Sequence, residues 1–233
     1  MKKLILLLLV TISIFGQKKD CIIKYDLKII KEEGLFDNNP YLKNMVDLSI
    51  NNINFIFFNL EINKSGTIFY FDTTSSYADD KINKFAYSLA NYLGPVYNIH
   101  NDTILKQNSL LGNSIFIKQD KITNWVLTNE TKMINNFLCY KATNTYTVVN
   151  STKIFNRPVT AWYCPKLEYP YGPNGYGNLP GLILELQVRN SIYSAKIIEI
   201  DKNIDIDLSL KNIEIISNEE LEKRLFEFRQ KYF

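Results

Sequence analysis

Apolar and polar positions alternate with a period of two through most of this chain, the spacing that lines one face of a half-buried strand. CIIKYDLKII over residues 21–30 reads as a first such strand. NFIFFNLEI (54–62) and TIFYFD (67–72) flank Asn63-Lys64-Ser65-Gly66, a hairpin signal. From residue 96 onward short extended runs recur at 96–106, 114–119, 123–129, 137–149, 157–163, 182–189, 192–201 and 204–215. That cadence predicts a meandering antiparallel sheet.

Three segments carry a helical period instead. Leu42, Met45, Val46 and Ile50 form a short stripe behind Asn39-Pro40, with proline tolerated in a helix's first turn. Between Asp79 and Tyr92, the residues Ile82, Phe85, Leu89 and Leu93 share a face, and Gly94-Pro95 stops the helix. Ser217-Asn218-Glu219-Glu220 reads as a capping box opening a final helix whose face carries Leu221, Leu225, Phe228 and Tyr232. The expected class is α+β and β-rich: a curled antiparallel meander, a half-open barrel, with two or three covering helices.

Met1 to Gly16 has the layout of a secretory signal peptide, with Lys2 and Lys3 ahead of an apolar core too short to span a bilayer. The reading is a signal peptide over 1–16 and one β-rich domain over 17–233, with no transmembrane segment in the mature chain. The expected location is outside the inner membrane: periplasm, outer-membrane-associated or extracellular. Cys21 lacks a lipobox, since Lys18-Lys19-Asp20 precede it. Removing residues 1–16 lowers the formal charge from +3 to +1, which takes away any basic-charge argument for a nucleic-acid partner. Aromatics fall among charges of alternating sign, so core packing accounts for them better than base stacking.

Residues 156–186, NRPVTAWYCPKLEYPYGPNGYGNLPGLILEL, hold two apolar extended segments around a loop dense in proline, glycine and tyrosine. Pro180-Gly181 suits the middle of a type II turn. Trp162, Tyr163, Tyr169, Tyr171 and Tyr176 either anchor a structural corner or, with Pro180 and Gly181, line a groove for a ligand or partner. The corner is the favoured reading. Cys139 and Cys164 lie on segments that fold into a hairpin turning near 150–156, so a disulfide between them and two buried thiols are both open.

The hexapeptide Asn178-Leu179-Pro180-Gly181-Leu182-Ile183 resembles the signature of the GLPGLI family of secreted Bacteroidetes proteins, for which no activity is settled. The resemblance extends over residues 120–190: Trp125, Glu130-Thr131-Lys132-Met133-Ile134, Cys139-Tyr140-Lys141-Ala142-Thr143, Arg157, Ala161-Trp162-Tyr163 and Gly172-Pro173 follow in the family's order. Asn156, Cys164 and Asn178 depart from its usual glycine, threonine and glycine. Asn178 keeps access to left-handed backbone angles. Glu130, Lys132 and Arg157 are the polar members of the pattern, read equally as a partly buried ion pair or as solvated strand-edge charges.

Chemistry is sparse. His100, the single histidine, stands in a polar turn without a nucleophile motif. Asp79-Asp80 fits helix capping, and Asp201, Asp205 and Asp207 fit the outer face of a strand better than a calcium loop. No metal site, cofactor or phosphate loop is indicated. Asn63, Asn101, Asn129 and Asn150 match N-glycosylation tripeptides, and Asp72-Thr73-Thr74 and Asp102-Thr103-Ile104 resemble Bacteroidetes O-glycosylation sites. The expected function is non-enzymatic binding of a ligand or partner in the cell envelope. The alternatives are a structural or assembly role in an outer-membrane complex and, lowest, a histidine-independent hydrolase.

Overall fold

A computed structural model describes residues 19–31, 34, 36–53, 56–75, 80–99, 103–108, 114–150, 153–206 and 213–232. The proposed signal peptide, His100, Asp79 and Asp207 lie outside the described residues. The opening strand β1 (Cys21–Ile29) buries Cys21, Ile23, Tyr25, Leu27 and Ile29 on one face, as its alternation requires. Helix α1 (Pro40–Asn52) starts where expected, with the Leu42 N–H donating to the Asn39 side-chain oxygen at 3.1 Å. Strands β2 (Phe57–Asn63) and β3 (Gly66–Phe71) form the expected hairpin, its turn held by the Asn63 Oδ1, which accepts from the Ser65 and Gly66 N–H groups. Helix α2 spans Asp80–Leu89.

The run expected over 96–106 is two strands, β4 (Val96–Ile99) and β5 (Thr103–Asn108), paired antiparallel. Next come β6 (Ile115–Gln119), β7 (Val126–Ile134), β8 (Phe137–Asn150), β9 (Lys153–Cys164), β10 (Leu182–Val188) and β11 (Ser191–Ile200). β7 runs five residues past its expected end because Asn135 and Asn136 take positive φ (46° and 64°), the geometry of a tight two-residue hairpin. Of the strand expected over 204–215, residues 204–206 are irregular, 207–212 lie outside the described residues, and β12 (Glu214–Ile216) runs parallel to β6. Asp201 sits in a turn with φ 70° and pairs with Lys19, and Asp205 lies in irregular chain, so neither occupies the strand face expected for it. Helix α3 (Asn218–Tyr232) completes the described chain.

All twelve strands join one sheet in the order β12-β6-β5-β4-β3-β2-β1-β11-β10-β9-β8-β7, antiparallel throughout except at β12. The order is two meanders, β1–β6 and β7–β11, fused where β1 pairs with β11. The sheet does not close, and β7 and β12 are its edges. Its buried face carries an aromatic knot. The Phe58 ring lies 5.3 Å from Phe69, 5.0 Å from Tyr92 and 5.3 Å from Tyr193, centroid to centroid. The Tyr193 and Ser191 hydroxyls donate to the Ala90 and Leu89 carbonyls at 3.1 Å, fastening the end of α2 to the sheet. Ser49 on α1 donates in turn to the Ile82 carbonyl of α2.

α3 covers a separate, smaller cluster of Ile115, Ile117, Ile216 and Leu221, against which Leu225 packs. Phe228, expected on the same apolar face, is exposed. The capping box closes differently from expectation. Ser217 Oγ accepts from the Glu220 N–H, while the Glu220 carboxylate turns to Arg224. Hydrogen bonding from Ser217 holds the Glu219 carboxyl below its ordinary range instead.

Candidate functional site

The corner between β9 and β10 is a folded plug, not a free loop. Along 165–169 the chain alternates exposed and buried, so Leu167 and Tyr169 enter the main core while Pro165, Lys166 and Glu168 face solvent. Backbone bonds lock this path: the Leu182 N–H donates to the Leu167 carbonyl and the Ile183 N–H to the Tyr171 carbonyl. Tyr171 and Gly177 form an isolated bridge. Gly172 admits the chain against Ile183, whose side-chain carbons lie 2.7 Å from where a Cβ would stand.

Every aromatic anchor expected in this corner is placed. Tyr163, Tyr169 and Tyr176 are buried, while Tyr171 and Trp162 are half-buried. The Tyr169 hydroxyl donates to the Lys19 carbonyl at 2.8 Å, and Tyr25 in β1 donates to the Ile183 carbonyl at 2.7 Å. Trp125 Nε1 donates to the Gly177 carbonyl at 2.9 Å and Asn178 Nδ2 to the Ile122 carbonyl at 2.9 Å. Asn178 takes φ 61°, as its left-handed tolerance allows. Burial pushes the Tyr176 hydroxyl well up and raises Tyr163, Tyr169 and Tyr171 as well.

The turn at Pro180-Gly181 is not type II. The Gly181 N–H donates to the Leu179 carbonyl, a three-residue turn around Pro180, and Gly181 takes φ 149°. Its backbone passes so close to β9 that a Cβ would stand 2.2 Å from the Cys164 carbonyl oxygen. The Leu182 N–H, which a type II turn would return to Leu179, goes to Leu167.

Open space lies outside this plug. Leu138, Tyr140, Tyr163, Pro165 and Lys166 line a shallow groove of about 390 Å³, and Pro165, Glu168, Pro170, Leu179, Pro180 and Gly181 line another of about 300 Å³. Pro165 belongs to both. Leu138 is 48% exposed, and Val126, Leu127 and Met133 on edge strand β7 are also exposed. On the inner side, Phe69, Val96, Tyr171 and Tyr176 surround a gap of about 10 Å³, room for one water at most.

Glu130, Lys132 and Arg157 are not brought together. Lys132 Nζ pairs with Glu185 at 2.6 Å and stands 4.4 Å from the centre of the Trp162 ring. Glu130 pairs instead with Lys141 at 2.9 Å, and the Arg157 guanidinium lies over Phe155 at 5.5 Å. Of the two readings left open for them, Lys132 fits the partly buried pair and Glu130 the solvated one. Glu185 was not singled out from the sequence. Its place after a bulge at Leu184, where pairing steps from Ile183–Tyr163 to Glu185–Trp162, sets it beside the tryptophan.

Cys139 and Cys164 follow the Tyr140–Tyr163 pair as the next positions on β8 and β9, so they face each other across adjacent strands. With Cys21 they are buried, free thiols. Burial pushes Cys21 and Cys139 up to about 12, the range of an unreactive thiol. Among the described residues no group of three His, Cys, Asp or Glu side chains is placed to hold a metal ion, and no helix is long and apolar enough to cross a membrane.

No family model matches the chain. No curated protein matches it either. Two solved structures are similar in fold: PNGF-II in a P21 crystal form, with 17% identity and a TM-score of 0.54, and PNGF-II in a C2 form, with 16% identity and a TM-score of 0.55. Each likeness covers 89% of this chain but 33% of PNGF-II, so the chain spans about a third of that protein's length. At this identity the likeness concerns fold alone.

Proposed function

We propose that this chain is an exported envelope protein of the GLPGLI type, with a half-open barrel fold, that acts by binding another envelope protein rather than by catalysis. The observation that carries the reading is the pair of open grooves beside the proline-punctuated plug, lined by Leu138, Tyr140, Pro165, Pro170 and Pro180. Exposed Leu138 and the exposed Pro165 and Pro180 suit an extended segment of a partner, which could add backbone bonds along edge strand β7.

The gap behind the plug, about 10 Å³, argues for this occupant over a lipid-like ligand. Pockets that enclose such molecules measure about 300–1,000 Å³ and are deep, and the space of this size lies in shallow grooves outside the sheet. An assembly role in an outer-membrane complex uses the same surface and is the same proposal in a larger setting. The bridge between Cys139 and Cys164 belongs to this reading too, since an oxidising envelope would join two thiols that face each other.

The test is recovery from envelope extracts with tagged chain as bait, comparing wild type with Leu138→Glu and Lys166→Glu. Both positions are exposed, so the fold is unaffected, and near-ultraviolet circular dichroism verifies this. The expected result is one envelope protein recovered with wild type and lost with both variants. Equal recovery by all three rejects the groove as the interface.

A further inference from the structure

Register places Lys106 on the covered face of the sheet. In β5 the residues Ile104, Lys106 and Asn108 pair with Gln119, Ile117 and Ile115 of β6, and this is the face on which α3 packs. Ile104 belongs to the main core and Ile115 and Ile117 to the smaller cluster under α3. Lys106 therefore stands at the seam between two apolar clusters, where alternation calls for a hydrophobic side chain.

A cavity of about 180 Å³ occupies that seam. Lys106, Asn91, Asn108, Gln119, Asn174 and Asn218 line it above an apolar floor of Ile117 and Leu221, while the Gln107 side chain takes the opposite face and donates to Ser114. Three of these amides are held by other residues of the lining: Asn174 Nδ2 donates to the Asn91 carbonyl, and Gln119 Nε2 donates to Asn218 Oδ1 at 2.8 Å. The stem of Lys106 runs past Gly175, where a Cβ would stand 3.8 Å from the lysine Cε, an ordinary contact distance. Among the described residues, no carboxylate lines the cavity and none pairs with Lys106. Desolvation without a counter-charge pushes its ammonium down to about 8. The first turn of α3 opens beside it at Asn218, where Glu219 and Glu220 offset the helix's positive end.

We propose that this cavity binds a small hydroxylated carboxylate, of the size and chemistry of a single sugar acid. The ligand's carboxylate meets the ammonium, which needs an anion. Amides both donate and accept, which suits hydroxyl groups, and the isoleucine and leucine floor suits the C–H face of a ring. The cavity is smaller than the ~300–1,000 Å³ typical for drug-sized molecules, so one ring is the fitting size. This goes beyond the partner-binding reading, because it concerns a different face of the sheet and stands whether or not the grooves bind anything.

The test is calorimetric titration of the full chain with D-glucuronate, with D-glucose and inorganic phosphate as comparison probes. Glucuronate is expected to bind and to move the Lys106 ammonium titration upward by NMR, while glucose does not bind. Lys106→Met is expected to weaken glucuronate at least about tenfold, equivalent to about 1.4 kcal/mol. Asn218→Asp keeps the acceptor for Gln119 and suits the helix's positive end, so it folds, and it must weaken the anion by repulsion. No glucuronate binding, affinity unchanged in both variants, or phosphate bound as tightly as glucuronate would each overturn the proposal.

Discussion

The hydroxyl of Tyr25 donates to the backbone carbonyl of Ile183 across 2.7 Å, joining residues 158 positions apart in the first strand and in the segment that leaves the proline corner. Both residues are fully buried. Tyr25→Phe removes the donor and leaves that carbonyl out of water with one partner fewer. The expected cost is about 1–3 kcal/mol, the range for an orphaned buried acceptor. Urea unfolding checks it: the midpoint should fall while the slope stays constant, because the packed ring is retained.

Gly181 is the second point at which the corner depends on a single atom. An alanine methyl would meet the Cys164 carbonyl at 2.2 Å, and the φ of 149° is one that side chains rarely adopt. Relief requires β9 and β10 to separate where Leu182 pairs with Cys164. Gly181→Ala is therefore expected to cost more than about 3 kcal/mol, above the ordinary strain of one unfavourable backbone angle. Asn178→Gly, at a φ of 61° that glycine enters freely, should lose only the bond to Ile122 and stay within about 1 kcal/mol of wild type. Thermal melting of the two variants side by side separates them.

What could be read without coordinates was whatever is written within a few residues. Asn39 caps α1, Asn63 closes the β2–β3 turn and Ser217 caps α3, each through a contact no more than three positions away. Strand order is not written that way. β1 is bonded along one edge to β2 and along the other to β11, a partner more than 150 residues distant. The parallel pairing of β12 with β6 has the same origin. The Asn135-Asn136 turn was legible and missed, since two residues tolerant of positive φ between extended runs is a hairpin signal. Lys106 was hidden because the expected run 96–106 ends on it, leaving out Asn108, the next position of its face in β5. Burial makes Tyr163, Tyr169 and Tyr176 anchors of the corner, leaving the solvent side of the prolines as the open surface.

Lys132 stands over Trp162 at 4.4 Å while its ammonium holds Glu185 at 2.6 Å. The ring partly shields the pair from water, so the attraction should exceed that of an exposed pair. A double-mutant cycle with Lys132→Met and Glu185→Gln is expected to give a coupling of about 0.5–1 kcal/mol. Repeating the cycle in Trp162→Leu should reduce it, because both the cation–π contact and the shielding are removed. A coupling unchanged by the leucine would mean the tryptophan is a bystander.

Lys106 gives the chain a pH dependence whose sign is fixed by its surroundings. In the folded chain the ammonium is pushed down to about 8, whereas unfolded lysine keeps its proton to about 10.4. Between those values the unfolded state binds more protons, so this group's contribution to stability rises with pH there. Below pH 8 the folded chain carries the charge at a desolvation cost, reduced because Lys106 is half-buried. Lys106→Met should therefore be more stable than wild type at pH 7, on the order of 1–2 kcal/mol once partial solvent access is allowed for. The gap should close as pH approaches 10. Buried Tyr25, Tyr92 and Tyr193 and the buried thiols are pushed upward and act in the opposite direction over the same alkaline range. They are common to both proteins, so the difference between the two unfolding curves isolates the lysine. A gap that stays constant from pH 7 to 10 would show that the ammonium is solvated or already paired, and the cavity beside it would lose its claim to an anion.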